Sequence, residues 1–270
     1  MKTEGISIVI PTYMEKQNLS PLFSRIAEVF RKTGLRGEVI VVDDDSQDST
    51  SREAQRLAKL LPVRLLVIVR RGERGLATAV LEGIRASSYP FVAVMDADLS
   101  HPPELLPALF QKLLSSEADI VVASRYTEGG GTEGLSALRR LLSKLGTKLV
   151  SPLVEVTDSL SGYFLFRKSS VALGLLSPSG YKICLEILVK SRPLKAAELP
   201  LRFAPRLYGK SKASFGVFLH FLLHVAGLYI YTFRKAKDRK TRLRSKRRIE
   251  IPPTPSKNIA NPPQREFGKK

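Results

Sequence analysis

Residues 90–104 read "PFVAVMDADLSHPPE". Five apolar residues, 91–95, run straight into Asp96-Ala97-Asp98, and a Ser-His-Pro-Pro turn follows. A short run that is apolar at every position reads as a strand buried on both faces, as strands of a parallel sheet are. The two carboxylates at its end stand one residue apart, and in extended backbone such residues share a side. Ionised carboxylates so placed repel each other and are costly to desolvate, so water or a cation has to lie between them.

The same pattern recurs through the first 125 residues. Val- and Ile-rich runs at 6–10, 38–42, 63–69, 91–95 and 119–123 predict five strands, with helical periodicity between them. Asn18 stands as a cap before the apolar spacing of Leu19, Phe23, Ile26, Ala27 and Phe30. Thr50 and Glu53 have capping-box spacing before Leu57, Leu60 and Leu61. Residues 75–86 and 104–114 also read as helices. Alternating strands and helices predict an α/β fold: a Rossmann-like, mostly parallel open sheet with helices on both faces. Ligands of such sheets bind beyond the carboxyl ends of the strands. The polar clusters stand there: residues 11–15 after the first strand, Asp43-Asp44-Asp45-Ser46 after the second, Asp96-Ala97-Asp98 after the fourth, Ser124-Arg125-Tyr126 after the fifth.

Beyond Tyr126 the pattern changes. A Gly-rich loop covers 128–134, a helix over 135–150 carries Arg139, Arg140, Ser143, Lys144 and Lys148, further strands are expected at 163–167 and 196–203, and a helix at 181–191. Residues 213–233 carry no formal charge, a length that can cross a bilayer, yet they include two histidines and two glycines. Residues 234–248 then hold ten basic side chains and one acid. Of the net charge of +19, about +11 lies in residues 234–270. A tail of that sign favours polyanions, either nucleic acid or an anionic membrane surface. Its basic residues are not interleaved with aromatics and no nucleic-acid module is present, so nucleic acid is not expected. The single cysteine, Cys184, excludes an internal disulfide framework, fits a reducing compartment, and reads as a packed thiol. Residues 6–10 are too short for a secretory core, so no signal peptide is expected.

Each cluster has a plain alternative. Asp96 and Asp98 suit Mg2+ or Mn2+ bridging to substrate phosphates, or they are a solvated strand end. One of Asp43, Asp44 and Asp45 can accept from a base N–H, or the three form a capped loop. Tyr13 and Glu15 can stack on a base and accept from a ribose hydroxyl. Arg125, Arg139, Arg140, Arg206, Lys210 and Lys212 suit a second anionic substrate, or are surface charges paired with acids. His220 and His224, four apart, are half of a metal site, or ring nitrogens at a membrane boundary or in a polar gap between helices.

"IVIPTYMEKQNL", "VVDDDSQDST", "RGLATAV", "MDADLSHPPE", "ASRYTEGG" and "YGKSK" stand in one order over residues 5–233. Together they resemble glycosyltransferase family 2, and within it the dolichol-phosphate (polyprenol-phosphate) mannosyltransferases. The resemblance implies a glycosyltransferase A-type fold and transfer of mannose from GDP-mannose to dolichyl (polyprenyl) phosphate with inversion. It implies that Pro11, Tyr13, Glu15, Val42 and Asp44 hold the guanosine, and that Asp96, Ala97 and Asp98 meet the diphosphate and its Mg2+ or Mn2+. Ser100 stands where many relatives carry Gln, a further metal ligand. Arg125, Arg139 and Ser143 would cradle the lipid phosphate, and Arg206 and Lys212 would belong to a loop closing over the donor. Many hydroxyl-acceptor members use an acceptor motif containing Trp, and this chain has no Trp. A rival within the class is a dolichyl-phosphate glucosyltransferase using UDP-glucose. A sugar-nucleotidyltransferase would carry a Gly-rich basic signature where residues 11–15 stand. The expected organisation is a catalytic domain over 1–212, an apolar membrane-associating helix over 213–233 and a polybasic, largely unstructured tail over 234–270. That places the enzyme on the cytoplasmic face of a membrane, peripheral or monotopic, with room for a small membrane subunit as partner.

Overall fold

The computed structural model describes residues 5–72, 74–177, 182–208 and 215–249. Seven strands form one sheet: β1 (Gly5–Thr12), β2 (Arg36–Asp43), β3 (Arg64–Val69), β4 (Phe91–Val94), β5 (Ile120–Ser124), β6 (Phe164–Arg167) and β7 (Ala196–Pro200). Their order is β3-β2-β1-β4-β6-β5-β7. β1 to β4 run parallel, β6 is antiparallel to both β4 and β5, and β5 pairs in parallel with β7. The expected strands form within a few residues of their predicted ends. The one antiparallel insertion, β6, separates β4 from β5.

Helices α1 (Lys16–Thr33), α2 (Thr50–Leu57), α3 (Leu76–Ala86), α4 (Leu106–Ser115), α5 (Ala137–Val150), α6 (Ile183–Lys190) and α7 (Phe215–Ile249) complete the fold. β1 shows why both sheet faces must be covered. Ile6, Ile8 and Ile10 join the buried cluster with Leu19, Leu22, Phe23 and Ile26 of α1. Val9 faces the other way, where Gly83 of α3 approaches so closely that a Cβ there would collide with its side chain. With β2 on one side of β1 and β4 on the other, the chain reverses direction across the sheet at the β1–β4 crevice. That crevice is where an open α/β sheet binds its ligand.

Three local expectations are corrected. Asn18 does not cap α1; the helix starts two residues earlier, and the Asn18 Nδ2 donates to Glu15 Oε2 at 2.7 Å. No capping box forms at Thr50: Ser49 is the N-cap, in a left-handed conformation, and the Thr50 hydroxyl donates to Asp48 instead. The apolar segment 213–233 is not a separate helix. From Phe215 it is the front of the 35-residue α7, which continues through the basic run to Ile249. No described helix is long and apolar enough to cross a membrane. The chain divides into two compact units, 1–229 and 230–270. Within the first, α7 is tied down by Tyr229, whose hydroxyl donates to the Leu149 carbonyl at 2.7 Å, and by buried Val225 and Leu228.

Candidate active site

Four residues other than glycine have positive φ among the described residues: Met14, Asp45, Ser49 and Leu99. All lie in the loops that follow β1, β2 and β4. A left-handed conformation costs a non-glycine residue on the order of 1 kcal/mol, and such strain gathers where function over-determines the backbone. The loops are also knitted together. The Thr12 and Ser46 hydroxyls both donate to Asp43 Oδ1, at 2.9 and 2.6 Å, and the Met14 N–H donates to Ser46 Oγ at 2.8 Å. Glu15 N–H donates to Thr50 Oγ1 and Lys16 N–H to Asp48. Pro11 and Val42 are buried beneath this rim, and Tyr13 stands at its mouth with the Arg74 guanidinium 4.9 Å above its ring.

Asp44 is buried and accepts from the Arg70 Nε at 2.7 Å and from the Gly75 N–H at 2.8 Å. Arg70, itself 5% exposed, also holds Thr78 and the Gly75 carbonyl, so it staples the ends of β2 and β3 to the start of α3.

At the end of β4, Asp98 Oδ1 accepts from the Ser100 N–H at 3.1 Å and from its hydroxyl at 2.5 Å, and Oδ2 from the Arg206 Nε at 2.8 Å. Ser100 therefore addresses Asp98 in this structure. Asp96 points beside His101, whose Nδ1 accepts the Asp96 N–H at 3.0 Å. That bond makes Nδ1 an acceptor and leaves His101 neutral. Burial pushes its pKa down, against the pull of Asp96 and Asp98. Its ring stacks on Tyr163, whose hydroxyl in turn fixes the Pro102 carbonyl at 3.1 Å. Burial raises the Asp96 carboxyl, with Asp98 adding to the rise and His101 opposing it. Buried Ala97 separates the two acids.

Arg125, after β5, is paired through three hydrogen bonds. Its backbone N–H, Nε and Nη2 all donate to the fully buried Asp158, at 3.0, 2.8 and 2.8 Å. Burial alone would lower the guanidinium, but Asp158 outweighs it and its pKa rises. Next in sequence, the Tyr126 hydroxyl donates to Ser143 Oγ on α5 at 2.7 Å. Arg139 lies one turn before Ser143, half-buried on the same face. Residues 203–208 cross the site: Ala204 N–H reaches the Ser100 carbonyl, Leu207 N–H the Asp98 carbonyl, and the Tyr208 carbonyl accepts from Asn18. Lys210 and Lys212 lie outside the described residues.

Two adjacent carboxylates are hard oxygen donors that fit Mg2+ or Mn2+. Among the described residues no group of three or more His, Cys, Asp or Glu could hold a metal ion.

Residues 7–173 of the chain match the family described as Glycosyl transferase family 2. The chain belongs to glycosyl transferase family 2. A relative from Pyrococcus furiosus named dolichol-phosphate mannosyltransferase is 40% identical over 224 residues, covering 82% of this chain; the chain spans 62% of that relative's length. One of the same name from Saccharomyces cerevisiae is 34% identical over 237 residues, 84% of this chain and 88% of its own. Among solved structures, a mannosyltransferase from Pyrobaculum calidifontis in complex with GDP-Man and Mn2+ superposes with a TM-score of 0.57 at 17% identity, over 85% of this chain and 64% of that one. That likeness shows a shared fold.

The sequence motifs assign no role to Arg70, Asp158, Tyr163, His101 or Lys182. Arg70 had a signal, because it closes the third strand, the one strand end left without a polar cluster. The two histidines of α7 separate: His220 is exposed, and His224 is buried with its Nε2 3.5 Å from Glu186 of α6, a polar gap between helices. Cys184 is buried and burial pushes its thiol well up, as an inert packed cysteine requires.

Proposed function

We propose that this chain transfers mannose from GDP-mannose to a polyprenyl (dolichyl) phosphate, inverting the anomeric centre. The observation that carries the reading is the pair Asp96 and Asp98 at the β1–β4 crevice, facing the Arg206 strap and neighbouring the Arg125–Tyr126–Ser143 chain. The names of the relatives and the GDP-Man and Mn2+ of the Pyrobaculum enzyme support it. Pro11, Tyr13, Glu15, Val42 and Asp44 would line the nucleoside end. Asp96 and Asp98 would hold the Mg2+ or Mn2+, which when bound supplies positive charge for the leaving diphosphate. Arg206 keeps a guanidinium at the same place. The attacking atom is an oxygen of the lipid phosphate, which carries about −1.5 to −2 charge at neutral pH and needs no general base. That suits His101, which is neutral and whose Nδ1 is engaged. The oxygen forms a bond to the sugar's C1 as the C1–O bond to the diphosphate breaks, and GDP leaves with the electron pair. Arg139 and Ser143 would steady the attacking phosphate, with Arg125 held in place by Asp158.

A lipid substrate needs the enzyme at a bilayer. α5 supports this: Leu138, Leu141, Leu142, Leu145 and Leu149 are all exposed, Leu138 by 67%, while Arg139, Ser143 and Gly146 face inward. An outward leucine face with Arg140, Lys144 and Lys148 around it suits the interface of an anionic membrane, as does the basic run 234–248. We infer a peripheral or monotopic enzyme, without a spanning helix.

The test compares radiolabelled GDP-mannose and UDP-glucose as donors to a polyprenyl phosphate, with Mg2+, Mn2+ or EDTA. Organic-phase label from GDP-mannose, lost with EDTA, is expected. Preference for UDP-glucose would reassign donor and sugar, and label undiminished by EDTA would remove the metal.

A further inference from the structure

Two of the cations at the site are already spent. Arg125 is committed to Asp158 and Arg206 to Asp98, each at 2.8 Å. Lys182, the residue just before α6, is different. Among the described residues its hydrogen-bond partner is a neutral group, the Leu160 carbonyl, 3.0 Å from Nζ. An ammonium has three donors, so two remain after that bond. Lys182 is half-buried, and its charge is felt at Asp96, Asp158 and Arg125.

Leu160 fixes where this charge sits. Its carbonyl holds the ammonium, and its side chain packs on Gly146 of α5, where an added Cβ would come within 3.1 Å of Cδ1. Gly146 is three residues past Ser143, on the inward face of α5. The ammonium therefore sits on the 158–162 segment, whose Asp158 holds Arg125 and whose Gly162 lies so near Asp96 that an added Cβ would come within 3.3 Å of its Oδ2. Burial disfavours its charge, Arg125 adds to that, and Asp96 and Asp158 counter it without closing on it in an ion pair. A half-buried cation that, among the described residues, is anchored to a carbonyl is one that a phosphate dianion would satisfy by charge-assisted hydrogen bonds.

We propose that Lys182 is a further binding residue for the acceptor's phosphate, acting beside Arg139 and Ser143. The proposal rests on the acceptor assigned under Proposed function. It adds a point charge to the clamp, and it explains the tether: a free lysine would have to be ordered on binding, whereas this one is held by Leu160 in advance.

The experiment uses the full chain and two variants. Lys182→Met removes the charge and the tether, and Lys182→Gln removes the charge but can still donate to Leu160. Thermal melts establish that each is folded. In transfer from GDP-mannose to farnesyl phosphate, both should raise the acceptor KM about ten-fold or more, as expected for a lost hydrogen bond to a charged group. Calorimetric affinity for GDP with Mn2+ should stay within about two-fold. An unchanged acceptor KM in Lys182→Gln would leave only a structural role and overturn the proposal. A parallel fall in GDP affinity would assign Lys182 to the donor and overturn it too. If the wild type transfers nothing, the proposed function fails, and Lys182 is then judged by binding alone. Farnesyl phosphate, with GDP and Mn2+ present, should raise the melting temperature of the wild type and not of Lys182→Gln; equal shifts, or none, would overturn it.

Discussion

Asp158→Asn removes one negative charge from a place with no solvent access. The carboxylate accepts three hydrogen bonds from Arg125, and its own N–H, with that of Thr157, is held by Glu198 of β7. Asparagine keeps the shape and one acceptor oxygen. Its amide nitrogen, however, faces a guanidinium that can only donate. Breaking a buried ion pair by removing one partner costs about 3–5 kcal/mol, and the retained oxygen puts Asp158→Asn near 3 kcal/mol. For a unit of 229 residues that is a fall in Tm of roughly 6–12 °C. Urea titration followed by circular dichroism measures it. The double variant Arg125→Met/Asp158→Leu, apolar on both sides, should recover most of the loss. A cost below about 1 kcal/mol for Asp158→Asn, or a double variant as unstable as the sum of both singles, would refute the claim that the pair is desolvated and mutually dependent.

Asp98→Ala should abolish transfer while the melting transition stays close to wild type, because the acid's partners are Ser100 and a half-exposed Arg206; near-wild-type turnover would remove Asp98 from the chemistry. Tyr126→Phe deletes the hydrogen bond to Ser143, about 1 kcal/mol, and should raise the acceptor KM roughly five-fold without altering GDP affinity, as steady-state kinetics will show. Burial by itself would raise the Glu186 carboxyl, but the His224 ring 3.5 Å away and hydrogen bonds from Lys190 and the Ser177 N–H hold it below 4.5. Its stabilising contribution is therefore complete above the unfolded value and disappears as pH falls through the lower folded value. The stability gap between wild type and Glu186→Gln should be constant from pH 7 to about 5 and shrink below 4.5 in urea titrations.

Much of the fold is legible because strands buried on both faces are apolar at every position. Five of the seven announce themselves as Val- and Ile-rich runs, and four of these are followed by a polar cluster at the carboxyl edge of the sheet. Pairing order is not legible. β6 is a plain Phe-Leu-Phe-Arg strand, and nothing local says that it runs antiparallel between β4 and β5. The same distance hides the partners of the site's charges. Arg125 and Asp158 are 33 residues apart, and Asp44 and Arg70 are 26 apart. In α5, periodicity defines a leucine stripe but not its direction; the structure turns the stripe outward and Arg139, Ser143 and Gly146 inward. Asn18 looked like a cap and instead orients Glu15, since both choices satisfy the same local hydrogen-bonding capacity.

The central claim is that a lipid phosphate oxygen attacks the sugar directly, with no base from the protein. Matched assays with polyprenyl phosphate and with the corresponding free polyprenol, each with labelled GDP-mannose and Mn2+, test it directly. Lipid-linked mannose and stoichiometric GDP release are expected with the phosphate, and neither with the alcohol. Mannose transferred to the free polyprenol at a comparable rate would contradict it.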